Sequence, residues 1–97
     1  MAQRIVAGDI NPNGTIRHQT GNFAVERSGP GSYRINFSPA FANLVSVVGT
    51  VFTPEGEEST LNNLLVQNFS ENSCDLYTGN SSGQKADHFF TFIAIGE

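Results

Sequence analysis

The chain has no tryptophan, a single cysteine and only five basic residues among its 97. Each scarcity removes a class of reading. Cys74 alone cannot build an internal disulfide framework. Arg4, Arg17, Arg27, Arg34 and Lys85 form neither a run nor a stripe, and the net charge is -4. Phosphate binding needs clustered cations, so no nucleic acid partner is expected, and an anionic membrane surface has little to attract. No stretch approaches the roughly 20 apolar residues of a membrane-spanning helix, so no membrane insertion is expected. The opening MAQRIVAG lacks the apolar run of a secretion signal. That fits a cytoplasmic product, a virion part or a segment of an extracellular fibre equally well, and localisation stays open. Helical periodicity is missing too.

What the chain does have is alternation. Phe23 and Val25 alternate with Ala24 and Glu26, and Tyr33, Ile35 and Phe37 with Arg34, Asn36 and Ser38. Side chains that switch faces at every residue need an extended backbone. Strands are expected near Gln3 to Ile10, Thr15 to Gln19, Asn22 to Arg27, Ser32 to Phe37, Leu44 to Phe52, Leu61 to Phe69, Ser73 to Thr78 and His88 to Ile95. Clusters of Gly, Pro and Asn separate them at Asn11 to Gly14, Ser28 to Gly31, Thr53 to Gly56 and Gly79 to Gly83. Short strands with frequent turns imply an all-β antiparallel β-sandwich of about six to eight strands, a single domain over 1–97, with no helix. The run from His88 to Ile95 is apolar on both faces. Phe90, Phe92 and Ala94 lie on one side, and Phe89, Thr91, Ile93 and Ile95 on the other. Such a strand is covered twice. One cover is the core; the other is expected to be a second copy of the chain, which also suits a small all-β domain with open sheet edges.

The chain resembles H-type lectin domains at three places. Arg4, Gly8 and Ile10 fit the opening pattern, Ile35 and Phe37 followed by Phe41 fit the middle, and Phe92, Ile93 and Ile95 fit the closing strand. The pattern of Asn13-Gly-Thr15 followed by Gly21 to Phe37 (GNFxVxRxGxGxYxIxF) also resembles domains at the tips of phage tail fibres. The resemblance implies a six-stranded sandwich assembled as a homotrimer, with sugars such as N-acetylgalactosamine bound between subunits. The sugar-binding residues depart from the pattern. Gly79 to Ser82 stand where those lectins carry a Trp-His pair, and no Arg lies between Asn63 and Gln67. The disulfide common among them is impossible here.

Candidate sites follow from residue chemistry. Asn80, Ser81, Ser82, Gln84, Lys85, Asp87 and His88 make a polar loop between two aromatics, Tyr77 and Phe89. Planar amides and carboxylates read sugar hydroxyls, and an aromatic face takes the C–H side of the ring. Tyr77, Asn80, Ser81, Ser82, Asp87 and His88 are therefore the expected carbohydrate-binding residues, against the plainer reading of a solvated hairpin tip. Asp9 to Gly14 matches half of a calcium loop, but Thr20 stands where the bidentate Glu belongs; a plain hairpin is the expectation. The loop bearing Glu55, Glu57 and Glu58 reads as solvating, with a cation site as its alternative. Asp87 and His88, placed on a strand, would face opposite sides, His18 has no evident carboxylate partner, and a Cys74–His88 pair lacks a third orienting group. Cys74 itself reads as a small buried core residue. No enzyme, metal or cofactor is expected. The expected function is a carbohydrate-binding module, a lectin or receptor-binding fibre tip, acting as a homotrimer; the alternative is a structural trimerisation cap that binds nothing small.

Overall fold

A computed structural model describes residues 2–54, 56 and 58–97. Eight strands form in chain order: β1 Arg4–Ile10, β2 Ile16–Thr20, β3 Phe23–Gly29, β4 Ser32–Phe37, β5 Leu44–Val51, β6 Asn63–Gln67, β7 Ser73–Gly79 and β8 Phe90–Gly96. They make two four-stranded sheets, ordered β2-β1-β8-β5 and β3-β4-β7-β6, with every pairing antiparallel. The described residues contain no helix, and so none long and apolar enough to cross a membrane. All eight expected strands are present within a few residues of their expected ends. Glu55 and Glu57 of the acidic loop lie outside the described residues.

Alternation sets the core. The inward residues of β1, β8 and β5 (Val6, Ile10, Phe90, Phe92, Ala94, Val47) meet those of β3, β4 and β7 (Phe23, Tyr33, Ile35, Phe37, Cys74, Leu76), all buried. Two aromatic contacts bridge the sheets: Phe23 stands edge-on to Phe92 with centroids 5.0 Å apart, and Tyr33 packs on Phe90 at 4.7 Å. Edge-to-face geometry sets the positive ring rim against the negative face. Cys74 sits fully buried in this core, and its thiol is pushed up to about 12 by burial and, secondarily, by Asp75. It is closed to reagents and far from thiolate chemistry.

The outer faces of the two sheets differ in kind. On the first, Ile5 pairs with Ile95, Ala7 with Ile93, and Ile93 with Val48, so apolar side chains of three adjacent strands line up. Ile93 and Val48 are 48% and 59% exposed, which makes this a contiguous apolar face rather than scattered residues. A bulge between Leu44 and Ser46 adds Val45 to it. The second sheet carries polar and charged side chains outward. There Arg34 donates to Asp75 at 2.8 Å, Asn68 donates to Asp75 at 3.1 Å, and Asn36 donates to Glu26 at 2.7 Å.

Two expectations need correction. β8 begins at Phe90, so Asp87 and His88 lie in the irregular segment before it, and strand alternation does not govern where they point. His18 does have a carboxylate partner: the β1–β2 register sets it opposite Asp9, with Nδ1 3.1 Å from both carboxylate oxygens. The Asp9 to Gly14 segment is the tip of this hairpin. Asn13 Oδ1 accepts from the Thr15 amide and hydroxyl, and Gly14 takes φ 93°. Its oxygens close the turn rather than converge on an ion, and no cluster of metal-ligating groups occurs among the described residues.

Candidate functional site

The six expected sugar-binding residues do not form one site. Asn80 caps its own turn: its Oδ1 accepts from the Ser82 amide, the Ser82 hydroxyl and the Gln84 amide, at 2.7 to 3.2 Å. The acceptor is saturated, and Ser82 is engaged with it. Ser81 is exposed at the tip. Tyr77 belongs to the outer face of the second sheet, with the Lys85 ammonium 4.1 Å from its ring centroid. Asp87 and His88 lie elsewhere, at the end of the sandwich where the β1–β2, β5–β6 and β7–β8 connections meet.

Asp87 is a latch. One carboxylate accepts from Arg27 Nη2 at 2.7 Å, from the Gly31 amide at 2.7 Å and from the Tyr33 hydroxyl at 3.0 Å. The single Tyr33 hydroxyl proton is shared between Asp87 and the Pro12 carbonyl, 2.7 Å away. Three connections are thus tied to one another: the turn after β1, the β3–β4 turn and the segment leading into β8. The Arg27 guanidinium, with the Gly31 and Tyr33 donors, holds the Asp87 carboxyl below the ordinary carboxylate value against the opposing effect of burial. Burial, together with the Asp87 carboxylate, pushes the Tyr33 phenol up to about 12. Gly31 is required at its place. It takes φ 65°, and a Cβ there would sit 2.6 Å from the Ala86 nitrogen and nearer still to the Thr78 carbonyl. The latch fixes the backbone immediately before His88. It commits most of the acceptor capacity of Asp87 to the fold.

His88 faces two adjoining hollows of about 340 and 410 Å³, which share Phe52, Thr53, Glu58 and His88. Phe89 lines one of them, and Thr60 and Asn62 line the other. The amide of Phe52 donates to the Phe89 carbonyl at 3.1 Å, extending the β5–β8 ladder by one rung. That sets the two rings side by side, centroids 5.6 Å apart, and the Arg17 guanidinium lies 5.7 Å from one ring and 5.9 Å from the other. Nε2 of His88 is buried, and no described group hydrogen-bonds it. A buried polar atom without a partner costs about 1–3 kcal/mol, so natural structures keep few of them outside functional sites. The two adjoining hollows, with the His88 imidazole in their shared wall, offer the Glu58 carboxylate, hydroxyls, the Asn62 amide and the rings of Phe52 and Phe89.

Of the expected residues, His88 is the one this cleft takes in as an unengaged polar group. Phe52, Glu58, Thr60 and Asn62 join it from the loop after β5, and Phe89 from beside it. Phe52 closes the alternating run of β5, but only the strand order β1-β8-β5 brings it beside Phe89. No protein-family model, no curated protein and no solved structure matches the chain.

Proposed function

We propose that the protein is a carbohydrate-binding module that reads a sugar in the His88 cleft and works as a homotrimer. The observation that carries the reading is the buried Nε2 of His88, without a hydrogen-bond partner among the described residues, in the wall of a concavity with two aromatic rings and a carboxylate. Sugars present what this cleft lacks and suit what it has: hydroxyls that both donate and accept, and a C–H face that packs on aromatic rings. The concave, partly apolar form with few polar groups suits a small ligand. Self-association is supported by the apolar outer face of Ile5, Val48, Ile93 and Ile95, which a second copy of the chain would remove from water. The number three follows from the resemblance in the opening, middle and closing motifs. A rigid trimer would turn weak single sites into useful avidity.

The test is a glycan array probed with the wild-type protein and with His88→Ala, alongside sedimentation of both. Selective binding to one sugar class is expected from the wild type. His88→Ala should lose at least about tenfold of it, the order expected when one hydrogen bond in a desolvated site is removed, and should keep the same sedimenting mass. A blank array from a folded trimer would overturn the carbohydrate reading in favour of a structural cap. A monomer at all concentrations would overturn the assembly.

A further inference from the structure

The outer face of the β3-β4-β7-β6 sheet carries a second hollow, apart from the His88 cleft. It holds about 300 Å³ and is lined by Asn63, Leu65, Gln67, Tyr77, Gly79 and Lys85 among others. The strands dictate this grouping. β6 pairs with β7 so that Leu65 lies opposite Tyr77 and Asn63 opposite Gly79, and outward-facing residues of the two strands therefore stand side by side. The chain then returns through the turn capped by Asn80, and a backbone bridge between Gly79 and Lys85 fixes where the lysine starts. Its ammonium rests 4.1 Å from the Tyr77 ring centroid. A cation over an aromatic face is attracted by the ring quadrupole, so a long flexible side chain is held in one place.

The charges in this hollow are uneven. Lys85 is the one charged residue lining it, and among the described residues no carboxylate forms an ion pair with it. Asp75, which shares the face two residues before Tyr77, is already taken by Arg34 at 2.8 Å and by Asn68 at 3.1 Å. A positioned ammonium with no counter-charge among the described residues is set beside two amides, Asn63 and Gln67, and the apolar surface of Leu65 and the tyrosine ring. We infer that this hollow is a second binding site and that its ligand is an anionic sugar. The acid group would meet the Lys85 ammonium, the hydroxyls the two amides, and the carbon skeleton Leu65 and the edge of Tyr77. The inference stands on different residues from those of the His88 cleft and does not need that cleft to bind anything.

Amide chemical-shift titration of the full chain tests it, with glucuronic acid, N-acetylneuraminic acid and galactose 6-sulfate as anionic probes and glucose and galactose as neutral ones. At least one anionic probe should shift the amides of Gln67, Gly79 and Lys85, and neither neutral probe should do so at the same concentration. The carboxylated and sulfated arms then tell which acid group the site takes. Lys85→Gln, an exposed substitution that leaves the bridge to Gly79 in place, should weaken binding by about tenfold or more, as loss of a charge-assisted hydrogen bond does. Lys85→Arg should retain most of it. Equal shifts with neutral sugars, no shift with any anion, or full binding by Lys85→Gln would overturn the inference. A sugar bound at His88 and not here would overturn it while leaving the proposed function intact.

Discussion

Phe92→Ala is expected to lower the stability of the fold by about 3–5 kcal/mol, the usual cost of deleting a buried aromatic ring. Phe92 is 1% exposed and sits at the middle of the central strand β8, edge-on to Phe23 across the sandwich. Marginal stability for a chain of this size is about 5–15 kcal/mol, so the substitution removes a large part of it. At about 4–8 °C per kcal/mol, the melting temperature read by circular dichroism should fall by at least about 12 °C. An unchanged melting temperature would contradict the placement of Phe92 between the sheets. The neighbouring Ile93 points the other way, into the exposed apolar face that the proposed assembly would cover.

The second large effect belongs to Asp87. Asp87→Ala leaves the Gly31 amide without its acceptor and the Tyr33 hydroxyl with only the Pro12 carbonyl. The unsatisfied Gly31 amide costs about 1–3 kcal/mol; the Arg27 pair, about one-third exposed on each side, adds little because solvent screens it. The same carboxylate makes stability depend on pH. Its folded value is depressed, chiefly by Arg27, and that of Asp75 is depressed chiefly by Arg34. A depressed carboxylate stabilises fully above the unfolded-chain value, about 4 for Asp, and that contribution is lost as pH falls through the lower folded value. Thermal unfolding between pH 5 and pH 2 should therefore show a drop for the wild type that is smaller in Asp87→Asn, where only Asp75 is left to titrate of the two. Parallel curves for the two proteins would contradict the latch.

The strands were legible in the sequence because period-two patterning is local: Tyr33, Ile35 and Phe37 declare their face without reference to anything distant. The apolar patterning of both faces of β8 was legible for the same reason. The candidate site was not, because it depends on which chain ends the strand order brings together. Asp87 and Arg27 are 60 residues apart, and nothing in either neighbourhood announces the other. Phe52 meets Phe89 only because β5 and β8 are paired in register. The capping role of the Asn80 carbonyl was legible in principle: Asn-Ser-Ser-Gly is a turn in which the Asn side chain bonds its own backbone. The Asp9–His18 pair was hidden by the irregularity in register between Asp9 and Ile10. Such a shift flips the face that simple counting across the hairpin assigns.

The most direct measurement is a long-range proton–nitrogen spectrum of the histidine rings in ¹⁵N-labelled protein, titrated with the sugar that gives the strongest array signal. A sugar bound as proposed must move the Nε2 resonance of His88, together with the amides of Phe52 and Phe89, and leave the turn amides of Ser81 and Ser82 in place. A His88 ring that does not respond while the turn amides of Ser81 and Ser82 shift would contradict the account and return the site to the hairpin tip.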